Sequence, residues 1–193
     1  MNKKEVFKTE LNNIKNARIR KSAETFLEML PDYFFTTAAS STGKYHPAFA
    51  SGEGGLVRHT KVACYILNEI LSTNTFGSDF TADQKDLLIF AILIHDGFKH
   101  GVIEDKYTKH EHPLICAICL RKSKPELDLT EEEIEYVAAA VESHMGEWNK
   151  SNYSDIELAL PITKAQKIVH LSDMLSSKKI LNVDFVGNEI KRD

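Results

Sequence analysis

Apolar residues recur at spacings of three and four along almost the whole chain, and no segment alternates as a half-buried strand would. The pattern predicts helices over residues 4–15, 20–30, 56–72, 81–95, 113–122 and 130–143, with a long last helix over about 163–181. Two starts are well marked: Thr81-Ala-Asp-Gln84 and Thr130-Glu-Glu-Glu133 both have the form of a capping box, and Pro113 suits a first helical turn. Pro31 stops the second helix. Between residues 35 and 55 lies a loop rich in Ser, Thr and Gly, a length more often functional than idle. The expected fold is all-α, a helical bundle. Residues 1–53 supply N-terminal helices and the loop, 54–181 the core, and 182–193 a tail with no assignable pattern.

The same helical stripes carry residues that do not belong in an apolar face. The run Ala91-Ile-Leu-Ile94 ends in His95-Asp96, followed by Gly97 and, three residues past the aspartate, Lys99. His59 falls on the stripe of Leu56, Ala63, Leu67 and Ile70, and His95 on that of Leu88 and Ile92. His112 precedes Ile115, Cys116 and Cys119, His144 continues Ile134, Val137 and Val141, and Asp173 shares a face with Ala165, Val169 and Ser176. One such histidine is ordinarily a hydrogen-bonded core residue. Five helices each delivering one, with Asp96 beside them, point to a shared metal site, because ionisable groups buried together must be paired or coordinate a cation.

Composition narrows the setting. The 193 residues suit one domain with a sizeable core. Apolar and charged residues make up 42% and 27%, ordinary for a soluble protein. A net charge of −4 gives no general basic field toward nucleic acid or anionic membranes, though it leaves room for a nucleotide or strand end at a local site. No apolar run approaches the length of a membrane span, and no apolar stretch follows the basic N-terminus, so the expected location is cytoplasmic. Three cysteines form no disulfide framework; Cys116 and Cys119 make a CxxC inside an apolar run, which reads as buried thiols rather than a zinc site.

The order His59, His95-Asp96, His112, His144, Asp173 resembles the ligand series of the HD-domain superfamily of metal-dependent phosphohydrolases. Gly54-Gly-Leu-Val-Arg-His-Thr60 is similar to the glycine-rich entry to the first ligand helix, and His95-Asp-Gly-Phe-Lys99 fits the HDxxK pattern. Ser143-His-Met-Gly-Glu147 resembles the SHHGE stretch of HD-type exoribonucleases, with Met145 in place of a second histidine, and Val169-His-Leu-Ser-Asp173 matches the closing aspartate. The resemblance implies that His59, His95, Asp96 and Asp173 hold one metal, and that Asp96 bridges to a second completed by His112 and His144. It also implies a hydroxide activated by one or two divalent ions (Mn, Fe, Ni, Co or Mg, with Zn also admitted) and the catalytic pair Asp96 and Lys99, with Lys99 at the mouth of the site.

His46, Arg58 and Lys61 are candidates for lining a substrate pocket. His110 is an alternative to His112, Glu147 and Trp148 are open, and His100 and His170 carry no assigned role. The expected activity is hydrolysis of a phosphate ester in a nucleotide or oligonucleotide. The partner is then a phosphorylated small molecule or a nucleic-acid end, without a membrane, and a homo-oligomer is compatible with the sequence. The rival readings are a nucleotide-sensing or partner-binding module without turnover, and an oxygenase built on an iron pair.

Overall fold

The structure, a computed structural model, describes residues 2–40, 43–44 and 46–191. Its helices are α1 (Lys3–Val6), α2 (Lys8–Leu11), α3 (Ala17–Met29), α4 (Gly55–Ser72), α5 (Asn74–Gly77), α6 (Ala82–Ile94), α7 (His112–Lys122), α8 (Glu131–Glu142) and α9 (Lys164–Ser176), with short 3₁₀ turns between them. The all-α expectation holds for the body of the chain. None of these helices is long and apolar enough to cross a membrane.

The bundle is organised around α6. Every residue from Asp86 to Ile94 is buried, which explains why its one-sided stripe extends into an apolar run on all faces. It lies against α3, α4, α8 and α9, while α7 packs along α8 and α4 along α9. Each fully buried Leu or Ile in this core contributes on the order of 1.5–3 kcal/mol of apolar transfer. The N-terminal segment joins the same core through Phe7, Leu11 and Ile14. Asp86, the one acid on α6's buried stretch, accepts the backbone N–H of Lys15 and Asn16 at 3.0 and 2.6 Å, while Asn16 caps α3 by accepting from Arg18 N–H.

Helix starts follow the sequence except at α3, which begins at Ala17 behind its Asn16 cap instead of at residue 20. Thr81, Thr130 and also Thr163 form complete capping boxes with Gln84, Glu133 and Gln166. Two further expectations are corrected, and the unassigned tail takes on a structure. The first helix is broken at Phe7 (φ −109°, ψ 22°) into two single turns, which lets Phe7 enter the core beside Phe34 and Phe35. The last helix stops at Ser176, not residue 181. There the hydroxyls of Ser176 and Ser177 donate back to the carbonyls of Asp173 and Met174, competing with continued helix. The tail forms a hairpin, β1 (Phe185–Val186) and β2 (Glu189–Ile190), around Gly187-Asn188, with Gly187 at φ 61°.

Candidate metal centre

Four histidines and two aspartates converge where α4, α6, α9 and the ends of α7 and α8 meet. His59, His95, Asp96, His112 and His144 are all at most 2% exposed. Local structure aims each ring. His95, His112 and His144 each place Nδ1 2.7 Å from the carbonyl three residues earlier, those of Ile92, Lys109 and Val141. His59, in mid-helix, has no such free carbonyl and uses α9 instead. Its Nδ1 lies 3.0 Å from Ser176 Oγ, whose own proton goes to the Asp173 carbonyl. A carbonyl can only accept, and so can a hydroxyl that has spent its proton. All four rings therefore carry a proton on Nδ1, and each ring in its neutral form turns an Nε2 lone pair inward.

Those lone pairs face acceptors. His59 Nε2 is 3.0 Å and His95 Nε2 3.3 Å from Asp173 Oδ1. His112 Nε2 is 3.0 Å from Asp96 Oδ1 and 3.2 Å from His144 Nε2. His59 Nε2 and His95 Nε2 are buried without a hydrogen-bond partner. Lone pair against lone pair and carboxylate is repulsive unless positive charge sits among them, so the donor set fits a cation. The ligand atoms of His59, His95 and Asp173 lie within 4.8 Å of one another, and so do those of His95, Asp96 and His144.

Asp96 divides its two oxygens between the groups. Oδ2 faces His59 and His95 at 3.7 and 3.6 Å, and Oδ1 faces His112 and His144 at 3.0 and 3.7 Å. Lys99 Nζ lies 2.5 Å from Oδ2. Burial alone would raise both aspartates. Lys99 and His95 outweigh it at Asp96, and His95 and His59 at Asp173, holding each well below the ordinary carboxylate range. Burial lowers His59 and His112, keeping them in the neutral form that binds metal. At His95 burial also opposes the cation, but Asp96 and Asp173 prevail and its pKa is raised.

A family model for the HD domain matches residues 56–178. The chain belongs to the HD-domain family. No curated protein and no solved structure matches it.

The candidate metal centre of this HD domain opens into a cavity of about 880 Å³ whose wall includes His46, Asp96, Lys99, Trp148, Lys178 and Lys179. Of the candidates for a substrate pocket, His46 lines it. Arg58 and Lys61 do not. Arg58 donates to the Phe49 and Ser51 carbonyls and to Asn188 Oδ1, bracing the preceding loop. Lys61 is wholly buried on the other side of α4, 2.9 Å from both Glu10 and Glu189. His110 is turned away, its Nε2 held by the carbonyls of Asn149 and Ile156 at 3.1 Å, and it is His112 that stands beside Asp96 and His144. His100 stacks on Tyr33, and His170 donates to the His144 carbonyl. Cys116 is a buried thiol donating to the Ile94 carbonyl. Ser176 was visible on the stripe of Asp173 but carried no role there, and Lys178 and Lys179 belonged to a helix that ends before them.

The glycines that open α4 have a steric reason. Gly54 sits at φ 69°, and a Cβ on Gly55 would lie 2.2 Å from the Ala50 carbonyl oxygen. The loop thus closes directly onto the first turn of the helix that carries His59.

Proposed function

We propose that this HD domain is a metal-dependent phosphohydrolase, and that its substrate is a nucleotide or the terminal phosphodiester of an oligonucleotide. The observation that carries the reading is Asp96, whose two carboxylate oxygens face two separate histidine sets. His59, His95, Asp96 and Asp173 would hold one divalent ion, and Asp96, His112 and His144 a second. Bound there, such ions lower the pKa of a water and neutralise charge building on phosphoryl oxygens.

The protein's own groups do the rest. The carbonyls behind the rings and Ser176 fix which nitrogen faces inward, a support whose loss elsewhere costs metal affinity about 10–100-fold. Lys99, beside Asp96 at the cavity, presents an ammonium to a phosphoryl oxygen. Lys178 and Lys179 add positive charge to the wall, and Lys178 Nζ stands 5.2 Å from the centre of the Trp148 ring. A cavity of about 880 Å³ fits a small organic phosphate or strand end. Pockets for such ligands commonly span about 300–1,000 Å³.

The test is hydrolysis of p-nitrophenyl phosphate, bis(p-nitrophenyl) phosphate, nucleotides and short oligonucleotides by Mn²⁺-, Ni²⁺- or Mg²⁺-loaded protein, beside Asp96→Ala. Turnover in the wild type and none in the variant is expected. Metal-loaded protein that cleaves none of these, or equal turnover in Asp96→Ala, overturns the reading.

A further inference from the structure

The family match begins at residue 56, yet one more histidine reaches the centre from the loop before it. The His46 ring stands edge-on to the His59 ring, centroids 4.9 Å apart and planes at 81°. His46 shares the cavity wall with Asp96 and Lys99. Its Nδ1 is buried with no hydrogen-bond partner. A buried polar nitrogen without a partner costs free energy, so its retention needs a reason. Each of the four candidate ligand histidines brings Nε2 within 3.7 Å of an Asp96 or Asp173 oxygen, and His46 forms no such pair, so it is not placed to complete a metal site. What remains in reach is whatever occupies the cavity.

The loop is braced from outside to hold it there. Ala39 N–H donates to the Ala50 carbonyl at 3.0 Å, and Gly54 N–H to the Thr36 carbonyl at 2.9 Å, closing the loop on itself. From α4, Arg58 donates to the Phe49 carbonyl at 2.5 Å and the Ser51 carbonyl at 2.8 Å. From the C-terminal hairpin, Asn188 Oδ1 accepts from the same guanidinium at 2.8 Å, and Phe185 packs on Phe49 at 5.5 Å between ring centroids. Pro47, with φ at −61°, stiffens the residue next to His46. One arginine thus ties the His46 loop to both the first ligand helix and the hairpin.

We propose that His46 is a catalytic residue that donates its ring N–H to a phosphoryl oxygen of substrate bound beside Asp96 and Lys99, and that Arg58 and Asn188 are positioning residues for it. The inference rests on the phosphohydrolase reading for its substrate, but phosphate binding tests it without turnover. The full-length protein is loaded with Mn²⁺, and inorganic phosphate is titrated in by calorimetry into wild type, His46→Ala, His46→Gln, Asn188→Ala and the double variant His46→Ala/Asn188→Ala. Mn content and Tm are measured in parallel, with kcat and KM on bis(p-nitrophenyl) phosphate.

With His46→Ala, phosphate affinity and kcat/KM should fall on the order of 10- to 100-fold, the range for one hydrogen bond to a charged group, at unchanged Mn content and Tm. His46→Gln, which keeps an N–H donor, should recover part of the loss. Asn188→Ala should lose a few-fold, and the double variant no more than His46→Ala, because the second residue acts through the first. Wild-type affinity in His46→Ala overturns the proposal, as does wild-type protein that takes up no phosphate. Loss of Mn in His46→Ala would make His46 a ligand and overturns it too. If wild type binds phosphate through His46 but cleaves no ester, the hydrolase reading fails while the phosphate contact stands.

Discussion

His112 Nε2 and His144 Nε2 face each other at 3.2 Å, while the carbonyls of Lys109 and Val141 take the Nδ1 proton of each ring. Two lone pairs held this way by their own backbones repel each other, and a shared cation relieves the repulsion. The same holds for His59 and His95 around Asp173. Protein purified without chelator or metal-affinity resin should therefore hold about two equivalents of a divalent transition metal by elemental analysis. A metal at a hundredfold excess over its Kd stabilises by about 2.7 kcal/mol per site. At roughly 2–4 °C per kcal/mol for a chain of this size, stripping one site should lower Tm by about 5–10 °C. Asp96→Ala should lose both equivalents with helical circular dichroism intact. Full metal content in that variant would break the link between Asp96 and the centre.

Without metal, stability should fall as the pH drops from 7 to 5. Burial, with His59 and Lys99 adding to it, pushes His46 down to about 3, and burial lowers His59 and His112 as well. Below about 6.5, the unperturbed value, the unfolded chain protonates these rings and the fold does not. The unfolded state then binds more protons, so stability is lost as pH falls. His95, raised, has the opposite sign: it favours the fold below its unfolded value and gives that up as pH rises through its folded value. Burial lowers His100 too, so four rings stand against His95 and the raised Glu10, a net loss on acidification. Asp96 and Asp173, both depressed, add to it only once pH falls below about 4. Tm of chelator-treated protein across this range checks the sign, and a Tm rising toward pH 5 would contradict it.

The convergence of these residues was legible because helical periodicity is a statement about faces, and His59, His95, His112, His144 and Asp173 each sit in register with apolar neighbours. What periodicity cannot supply is the covering of a helix's second face. On α4, Lys61 and Arg58 lie off the apolar stripe and so read as outward, pocket-side residues. In the structure α2 and the hairpin cover that side, burying Lys61 against Glu10 and turning Arg58 to the loop. The hairpin itself rests on a six-residue segment too short to show alternation, and Gly187-Asn188 was its only local mark. Ser176 is a similar case: its place on the Asp173 face was visible, but its bond to His59 spans 117 residues.

Lys61 offers a stability test separate from the metal centre. It is wholly buried, and its partner Glu10 is 5% exposed. Burial raises the Glu10 carboxyl in spite of Lys61. Lys61→Met leaves that carboxylate without its nearest cation, and breaking a buried pair from one side costs about 3–5 kcal/mol. Urea unfolding should show a loss of that order at pH 7.5 and a smaller one at pH 5.5, where Glu10 can take up a proton. Adding Glu10→Gln should recover much of it. Metal content should not change, since none of the metal-centre residues contacts this pair through its side chain. A loss below about 1 kcal/mol would place the pair with the weak, solvent-screened kind.

Gly146 links the backbone to the second histidine set. It sits at φ 55°, and a Cβ there would fall 2.1 Å from His170 Cε1, inside the imidazole ring's own space. His170 in turn donates through Nδ1 to the His144 carbonyl at 2.7 Å, one residue's backbone away from the ring that faces Asp96. Gly146→Ala therefore has two costs: a left-handed backbone for a residue with a side chain, about 1–3 kcal/mol, and displacement of His170. The second should reach the metal. Of the two cation positions, the one served by His112 and His144 should weaken first, since His59, His95 and Asp173 take no support from His170. Stepwise Mn²⁺ titration of chelator-treated protein should show one site near wild-type affinity and the other weakened by about tenfold or more. Equal weakening of both sites would mean that the substitution acts through global stability, and unchanged binding at both would mean that His170 does not orient His144.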